Sequence, residues 1–233
     1  MAKKDWKFKE GFHEENVNKK MWDALLLIQE DKEEEAVSLL EGTIETTPQL
    51  LSKYIKKKDL SPLIDASRST LCYYGIRLYI KASCIPCLSS FLNALAGTPE
   101  CAVALKRALK DKGSKDIFNK LLKEDPEALL MAFQELSAKE LQPFFEMLFK
   151  IAKNEIGEKQ YLALMLLYKF ISEKEVKDLF MVFAEDWDTR VRRISLNALL
   201  SIKDDEAVKK LAKRLIRDEE DALNVSILKR ILS

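Results

Sequence analysis

The sequence predicts an all-α protein made of repeated helical hairpins, and three observations support that prediction. Apolar residues recur at spacings of three and four along most of the 233-residue chain, whereas the alternation typical of strands is nearly absent. Six glycines and six prolines leave few places for tight turns between strands. The third observation is an internal repeat, since nearly the same apolar pattern stands in EKEVKDLFMVFAED and in DEAVKKLAKRLIRD.

Capping residues mark where several helices begin. A cap side chain stands before a proline, which the first helical position tolerates, at Ser61-Pro62, Thr98-Pro99 and Asp125-Pro126. The pairs Ser137 with Glu140 and Ser172 with Glu175 have the spacing of a capping box. Pro143 lies too deep in its helix to be free of cost, so we expect a kink or a late helix start there.

The repeat extends over two consecutive helices in register. A shift of 32 residues places Val176, Leu179, Phe183 and Asp186 on Val208, Leu211, Leu215 and Asp218. The same shift carries Leu162, Ala163, Leu166, Leu167 and Phe170 onto Ile194, Ser195, Ala198, Leu199 and Ile202. A period in this range predicts a solenoid in which each hairpin buries its apolar face on its neighbours. We therefore expect burial of Leu162, Leu166, Val176, Leu179, Ile194, Ala198, Val208 and Leu211.

The stretch Asp186-Trp187-Asp188-Thr189-Arg190-Val191-Arg192-Arg193, followed by Ser195, Ala198 and Leu199, resembles the pattern of HEAT repeats. The resemblance covers about residues 126–233 and implies an α-α superhelix, a HEAT/armadillo-like solenoid of antiparallel helix hairpins. We divide the chain into 1–125, which could hold divergent repeats of the same solenoid, and 126–233, the HEAT-like repeats. Tetratricopeptide repeats are the alternative, since Trp22 with Leu25 and Leu26 suggests one, but their small-residue signature is missing from the C-terminal half.

The overall composition limits the functional classes. Apolar residues make up 47% of the chain and charged residues 33%, so it has neither the composition of a disordered chain nor that of a membrane protein. The 39 Lys and Arg residues nearly cancel the 38 Asp and Glu residues, which does not indicate a strongly basic nucleic-acid binder. Neither a signal peptide nor a membrane span is evident, so we expect a cytoplasmic protein. Sparse Asn and Gln beside abundant Lys and Glu favour a thermophilic source.

The four cysteines, Cys72, Cys84, Cys87 and Cys101, are the residues with the most varied chemistry. Cys84-Ile85-Pro86-Cys87 has the spacing of a redox-active or metal-binding pair, and four thiolates could hold zinc or an iron–sulfur cluster. The outer two could instead form a disulfide. However, only one such pair is present and its surroundings are apolar, so we interpret all four as buried structural thiols and expect no metal and no cofactor.

A catalytic constellation is not evident in the sequence. His13 is the only histidine, which argues against a nucleophile activated by histidine, and we expect it to face solvent. The glycines are too far apart for a phosphate-binding loop, so nucleotide-binding motifs are excluded. The sequence therefore predicts a protein that is not an enzyme and has no evident small-molecule substrate.

Basic residues near the C-terminus form the predicted partner-binding set. It consists of Arg190, Arg192, Arg193, Lys210, Lys213, Arg214 and Arg217. Second helices of HEAT units generally line the concave groove. The resemblance therefore implies that Lys210, Lys213, Arg214 and Arg217 point into the groove, where a partner would bind. These residues could meet phosphates or an acidic protein surface, but acidic residues intersperse the set, so an ordinary mixed surface is the favoured interpretation of this feature. We interpret the chain as a scaffold that binds a protein through its groove.

The alternative is a nucleic-acid-binding protein with the same fold. Certain alkylpurine DNA glycosylases are built from HEAT-like repeats, and their Trp-x-Arg-Arg stretch resembles residues 187–193. The spacing differs here, and the paired tryptophans that precede an acid in that family are absent, because Trp6, Trp22 and Trp187 stand far apart. Glycosylase activity is therefore not expected, whereas simple binding to DNA or RNA through the basic residues remains the second hypothesis.

Overall fold

The computed structural model describes residues 2–57, 66–111 and 113–233, with side chains from residue 16 onward. This part of the chain is helical and contains no strand, which confirms the predicted all-α class. Residue contacts divide the chain into two compact units, Met1–Leu136 and Ser137–Ser233. The division predicted at residue 125 concerned the extent of the repeats and stays a prediction. None of the described helices combines the length and hydrophobicity needed to cross a bilayer.

The first unit contains eight helices within its described residues. They are α1 (Ala2–Gln29), α2 (Glu33–Leu39), α3 (Thr47–Lys57), α4 (Arg68–Lys81), α5 (Ile85–Leu95), α6 (Pro99–Ala108), α7 (Ser114–Glu124) and α8 (Pro126–Ala132), with 3-10 turns at Ile44–Thr46 and Phe133–Glu135. Helix α4 packs on α1, α5 and α6, and α5 also packs on α3, α7 and α8. Helices α4 and α5 therefore form the centre of this unit.

Close packing fixes α5 against α3 and α4. A Cβ atom added to Gly75 of α4 would lie 2.6 Å from Cζ of Phe91 and 2.8 Å from Cδ2 of Leu51, so only glycine fits without displacing these side chains. The buried hydroxyl of Tyr79, one turn further on, lies 2.9 Å from the hydroxyl of Thr47. The rings of Tyr79 and Phe91 pack with centroids 5.4 Å apart. Helix α5, which begins directly after Cys84, is therefore held by a well-packed core.

The second unit contains seven helices. They are α9 (Ala138–Leu141), α10 (Phe145–Asn154), α11 (Glu158–Leu167), α12 (Lys174–Phe183), α13 (Thr189–Leu200), α14 (Glu206–Leu215) and α15 (Ala222–Leu232), with 3-10 turns at Gln142–Phe144 and Tyr168–Phe170. Helix α11 packs on α13 and α13 on α15, while α12 packs on α13 and α14 on α15. Helix α13 therefore contacts α11, α12 and α15 and lies at the centre of this unit.

Several predicted helix starts are confirmed. The hydroxyl of Ser137 accepts a hydrogen bond from the N–H of Glu140, whose carboxylate accepts one from the N–H of Ser137, forming the capping box. The hydroxyl of Thr98 accepts a hydrogen bond from the N–H of Cys101 at the start of α6. Pro143 lies in a 3-10 turn that separates α9 from α10, so the longer helix begins late.

Two predicted caps form no capping hydrogen bond. Helix α12 begins after Glu173 with no side-chain cap, because Ser172 lies one residue too early to form the box. Asp125 is the N-cap residue of α8 and Pro126 its first residue, as predicted, but the carboxylate of Asp125 accepts a hydrogen bond from the hydroxyl of Ser89 on α5 and none from α8. The cap predicted at Ser61-Pro62 lies outside the described residues.

The repeat predicted most of the core of the second unit. The residues that are buried as predicted are Leu162, Leu166, Val176, Leu179, Ala198, Val208 and Leu211. Ile194 is only partly buried instead. The buried arc of α13 is centred on Ser195 and Leu199 and extends to Leu196, so Ile194 lies at the edge of that arc.

Candidate partner-binding surface

Helix α14 has one buried and one basic face. Val208 and Leu211 are buried against the unit, and Asp205 caps the helix by accepting hydrogen bonds from its first N–H groups. The exposed cations of this segment are Lys210, Lys213, Arg214 and Arg217. The helix ends at Leu215, so Arg217 lies in the following turn rather than on the helix. The structure therefore brings these four predicted residues to one exposed segment.

These four cations differ in their partners. Arg214 donates from Nη2 to Oε1 of Glu185 at 2.6 Å, in a pair whose side chains are 61% and 42% exposed. The ion pairs of the described residues do not include Lys210, Lys213 or Arg217. The positive charge that an external partner could meet is therefore concentrated on these three side chains.

Arg192 is held inside the unit rather than offered to a partner. Its Nε and Nη2 donate to the two carboxylate oxygens of Glu219 at 2.8 and 2.9 Å. Its Nη1 donates to the carbonyl oxygens of Asp186 and Trp187 at 3.0 and 3.2 Å. The side chain of Glu219 is only 6% exposed and that of Arg192 21%. Arg192 thus joins the turn before α13 to the turn before α15.

The environment of Glu219 strongly favours its charged form. The hydrogen bonds from Arg192 lower its pKa to about 2, although burial acts in the opposite direction. The N–H of Asp221 and the side-chain amide of Asn224 also donate to this carboxylate. Asn224 is buried and completes the site around Glu219.

This pKa predicts a specific loss of stability in acid. A carboxyl whose pKa is lower in the folded than in the unfolded chain stabilises the fold above its unfolded pKa, here about 4.5, and loses that effect as the pH falls towards about 2. We expect the free energy of unfolding to decrease between about pH 5 and pH 2, and to decrease less in Glu219→Gln. Denaturant titrations of both proteins at several pH values test this, and parallel pH profiles would contradict it.

Arg193 and Lys177 form a second, repeated type of ion pair. Arg193 donates from Nη2 to both oxygens of Asp221 at 3.1 Å, and Asp221 caps α15. Lys177 of α12 lies 2.9 Å from Oδ2 of Asp205, which caps α14. The two pairs have the same separation of 28 residues. In both pairs, a cation in one helix binds the acidic residue that caps the helix two places further along the chain.

Arg190 is the most accessible of the three arginines before α14. Its guanidinium lies 3.3 Å from Glu158 and 3.5 Å from Asp188, and its side chain is 55% exposed. Exposed pairs of this kind contribute little to stability. Of the seven predicted residues, Arg192 and Arg193 thus bind acidic residues within the unit. Arg190 and Arg214 are exposed and partly neutralised by ion pairs. Lys210, Lys213 and Arg217 are exposed and have no ion pair among the described residues.

Five large hydrophobic residues of the second unit are exposed, Ile156, Tyr168, Val182, Trp187 and Leu223, and none of them was predicted from the sequence as a binding residue. Trp187 is 80% exposed and Val182 of α12 is 67% exposed. The turn that carries Trp187 is held by Arg192 on its carbonyl oxygens and by Asp188, which accepts a hydrogen bond from the N–H of Arg190. A tryptophan between two aspartates in a turn was the available signal, because such a residue has no helical face to bury.

A shallow depression adjoins this turn. Its volume is about 400 Å³ and it is lined by Ala184, Glu185, Asp186, Arg192, Leu215, Asp218, Glu219 and Glu220. The depression connects the turn of Trp187 to the end of α14, because both segments contribute to its wall. Its wall is mainly acidic, and Trp187, Lys210, Lys213 and Arg217 are not among its lining residues. The pair between Glu185 and Arg214 is the contact that brings the turn and α14 together.

The first unit contains a larger polar depression of about 560 Å³. Arg77 lines it and is bound by Asp31 at 2.8 Å and, through Nε, by Glu33 at 3.0 Å. The guanidinium of Arg107 lies 3.7 Å from the centre of the Tyr73 ring. Arg77 is thus neutralised within this region, whereas Oδ2 of Asp111, which also lines the depression, is buried without a hydrogen-bond partner. We assign no ligand to it.

The cysteines depart from the interpretation as four thiols. Cys84 and Cys87 form a disulfide, while Cys72 and Cys101 are buried free thiols. The prediction is wrong for Cys84 and Cys87, because the first turn of α5 brings their sulfur atoms together. Among the described residues, no group of three or more Cys, His, Asp or Glu side chains is arranged to hold a metal ion. The side chain of His13 lies outside the described part of the chain.

Comparison with protein-family models, with curated proteins and with solved structures found no match to this chain.

Proposed function

We propose that the chain is a non-catalytic helical-repeat scaffold that binds a protein partner, and that its helices follow a HEAT-like solenoid path. The order of packing supports this proposal, since α11, α13 and α15 contact one another in sequence and α12 and α14 each pack on the following helix. The ion pairs Lys177–Asp205 and Arg193–Asp221 each join a helix to the N-cap residue of the helix two places further along the chain. Contacts between neighbouring hairpins are what a repeat architecture requires.

The proposed binding surface comprises the turn of Trp187, the exposed side of Val182 and the basic segment 210–217. The exposed hydrophobic side chains favour a protein as the partner. This surface exposes two large hydrophobic side chains, whereas four of the seven predicted cations are paired with acids of the chain itself. Exposed aromatic anchors beside charged residues are typical of protein interfaces. The unpaired cations favour acidic side chains on the partner.

Nucleic-acid binding is the second candidate, and Lys210, Lys213 and Arg217 are the observation that favours it. If these residues meet phosphates, binding to duplex DNA should weaken with salt, with a log–log slope of roughly −0.9 for each neutralised phosphate. Three cations beside Glu185, Asp218 and Glu220 provide only a narrow positive field. We therefore expect no measurable binding of a mixed-sequence duplex at about 0.15 M salt.

Charge reversal tests the two candidates together. The variant Lys210→Glu/Lys213→Glu/Arg217→Glu changes the proposed surface, and Lys19→Glu/Lys53→Glu/Lys57→Glu makes the same change of charge on exposed lysines of the first unit. We expect the first variant, and not the second, to lose a protein partner captured from extract. Fluorescence anisotropy with labelled duplex DNA provides the other measurement. Tight DNA binding at about 0.15 M salt that only the first variant abolishes would contradict the proposal.

A further inference from the structure

The disulfide lies at the beginning of α5, where the two sulfur atoms have different surroundings. Cys84 is the N-cap residue and is partly exposed, whereas Cys87, in the first turn, is only 2% exposed. The N–H of Cys87 points towards Sγ of Cys84 at 3.3 Å. A sulfur at this position meets the positive end of the helix dipole, which stabilises a thiolate. The disulfide therefore joins a partly exposed residue to a buried one.

The residue before the pair has an unusual backbone conformation. Ser83 has a φ of 51°, in the left-handed region that side chains other than glycine, asparagine and aspartate rarely adopt. This residue ends the turn between α4 and α5 and allows the chain to reverse immediately before Cys84. Such conformations persist where the surrounding structure imposes them, and they are concentrated at functional sites. The exposed Pro86 follows Cys84 within the first turn, so a reactant can approach from that side.

We propose that Cys84 and Cys87 form a dithiol–disulfide exchange site, with Cys84 as the sulfur that reacts with the external thiol. This reaction belongs to the first unit and is an activity beyond the non-catalytic partner binding proposed for the second unit. An external thiolate attacks Sγ of Cys84, the bond to Sγ of Cys87 breaks, and Cys87 leaves with the electron pair and takes up a proton. A second external thiolate then attacks the external sulfur of the mixed disulfide and releases Cys84 as a thiolate.

The net reaction converts two external thiols and the protein disulfide into an external disulfide and two protein thiols. The same steps in reverse oxidise the protein, with Cys84 attacking an external disulfide and Cys87 displacing the bound thiol. The direction depends on the reduction potential of the reactant, which is a low-molecular-weight thiol or a pair of cysteines in another protein. No metal or cofactor enters this balance.

The two remaining cysteines provide an internal reference. Burial raises the pKa of Cys72 far above its usual value, and burial raises that of Cys101 to about 12. Both side chains are almost inaccessible. At neutral pH they are therefore protonated and shielded, so reaction of a cysteine in the folded chain reports on the pair at α5.

The test uses the full-length wild-type protein in its folded state. We expect excess reduced glutathione to open the Cys84–Cys87 disulfide with no change in helical signal, and glutathione disulfide to restore it, as followed by alkylation and mass spectrometry. In Cys87→Ser, Cys84 should accumulate a mixed disulfide with glutathione. In Cys84→Ser, the remaining Cys87 should react at least about tenfold more slowly, because it is buried.

An assay with insulin, a protein that contains disulfides, distinguishes a protein reactant from a low-molecular-weight thiol. Exchange with glutathione alone assigns the pair to low-molecular-weight thiols, whereas reduction of insulin by the reduced protein assigns it to protein disulfides, and either result supports the proposal. A disulfide that resists glutathione in the folded wild-type protein and becomes reducible only after unfolding would overturn it, because the bond would then be a structural cross-link. Equal reactivity of Cys84 and Cys87 in the two single variants would also overturn the assigned roles.

Discussion

Replacing Arg192 with alanine should lower the free energy of unfolding by about 2–3 kcal/mol, because Glu219 would keep its charge but lose its charge-assisted hydrogen bonds in a site that is only partly open to water. The side chain of Glu219 is 6% exposed and depends on two hydrogen bonds from Arg192. The carbonyl oxygens of Asp186 and Trp187 would lose their donor as well. Denaturant unfolding followed by circular dichroism at neutral pH measures this loss.

Arg190 offers a matched control two residues earlier. Its ion pairs are exposed, so Arg190→Ala should cost less than about 1 kcal/mol. Replacing both Arg192 and Glu219 with methionine and glutamine should cost less than the sum of the two single changes, because no charge is then left unpaired. Equal effects of Arg190→Ala and Arg192→Ala would contradict the role assigned to Arg192.

Leu211→Ala should destabilise the second unit by about 2–5 kcal/mol, because a buried leucine loses both its transfer free energy and its packing contacts. Leu211 is 6% exposed and lies on the side of α14 that faces the unit. Leu223 of α15 is 59% exposed and provides the control, since Leu223→Ala should change stability by no more than about 0.5 kcal/mol. The same denaturant titration measures both variants. Similar losses for both would show that burial does not decide the effect of Leu211.

The apolar part of this fold could be predicted from the sequence because it follows from spacing alone. Val208 and Leu211 repeat the positions of Val176 and Leu179, and all four are buried. Residues three apart lie on the same face of a helix, so a helix that buries Val208 also buries Leu211. The division of the helix at Pro143 was predictable for a similar reason, because a missing N–H has a fixed local consequence. These features depend on residues within one or two turns.

The charged part could not be predicted in the same way. Arg192 and Arg193 have the sequence appearance of a binding site, but their partners Glu219 and Asp221 stand one repeat later and several nearer acids compete for them. Only the packing of α13 on α15 decides the pairing. The repeat period was the available signal, since an acid about one period after a basic residue on the preceding helix is a candidate partner.

The cysteines illustrate the same limit. Their spacing allowed a metal site, a disulfide or buried thiols, and the choice depends on where α5 begins relative to Cys84. An apolar neighbourhood predicted burial correctly for Cys72 and Cys101. It did not reveal that Cys84 is the N-cap residue, with its sulfur close to that of Cys87.

The most direct test of the proposed scaffold is quantitative capture of a protein partner from nuclease-treated extract by wild type, Trp187→Ala and Ile156→Ala. Trp187 is 80% exposed on the proposed surface, and Ile156 is a 76% exposed hydrophobic residue in the loop before α11. We expect wild type and Ile156→Ala to retain the same protein in stoichiometric amount. Trp187→Ala should weaken its binding by at least about 2 kcal/mol, roughly 30-fold in Kd. Equal retention by all three proteins, or retention that nuclease abolishes, would contradict the proposal.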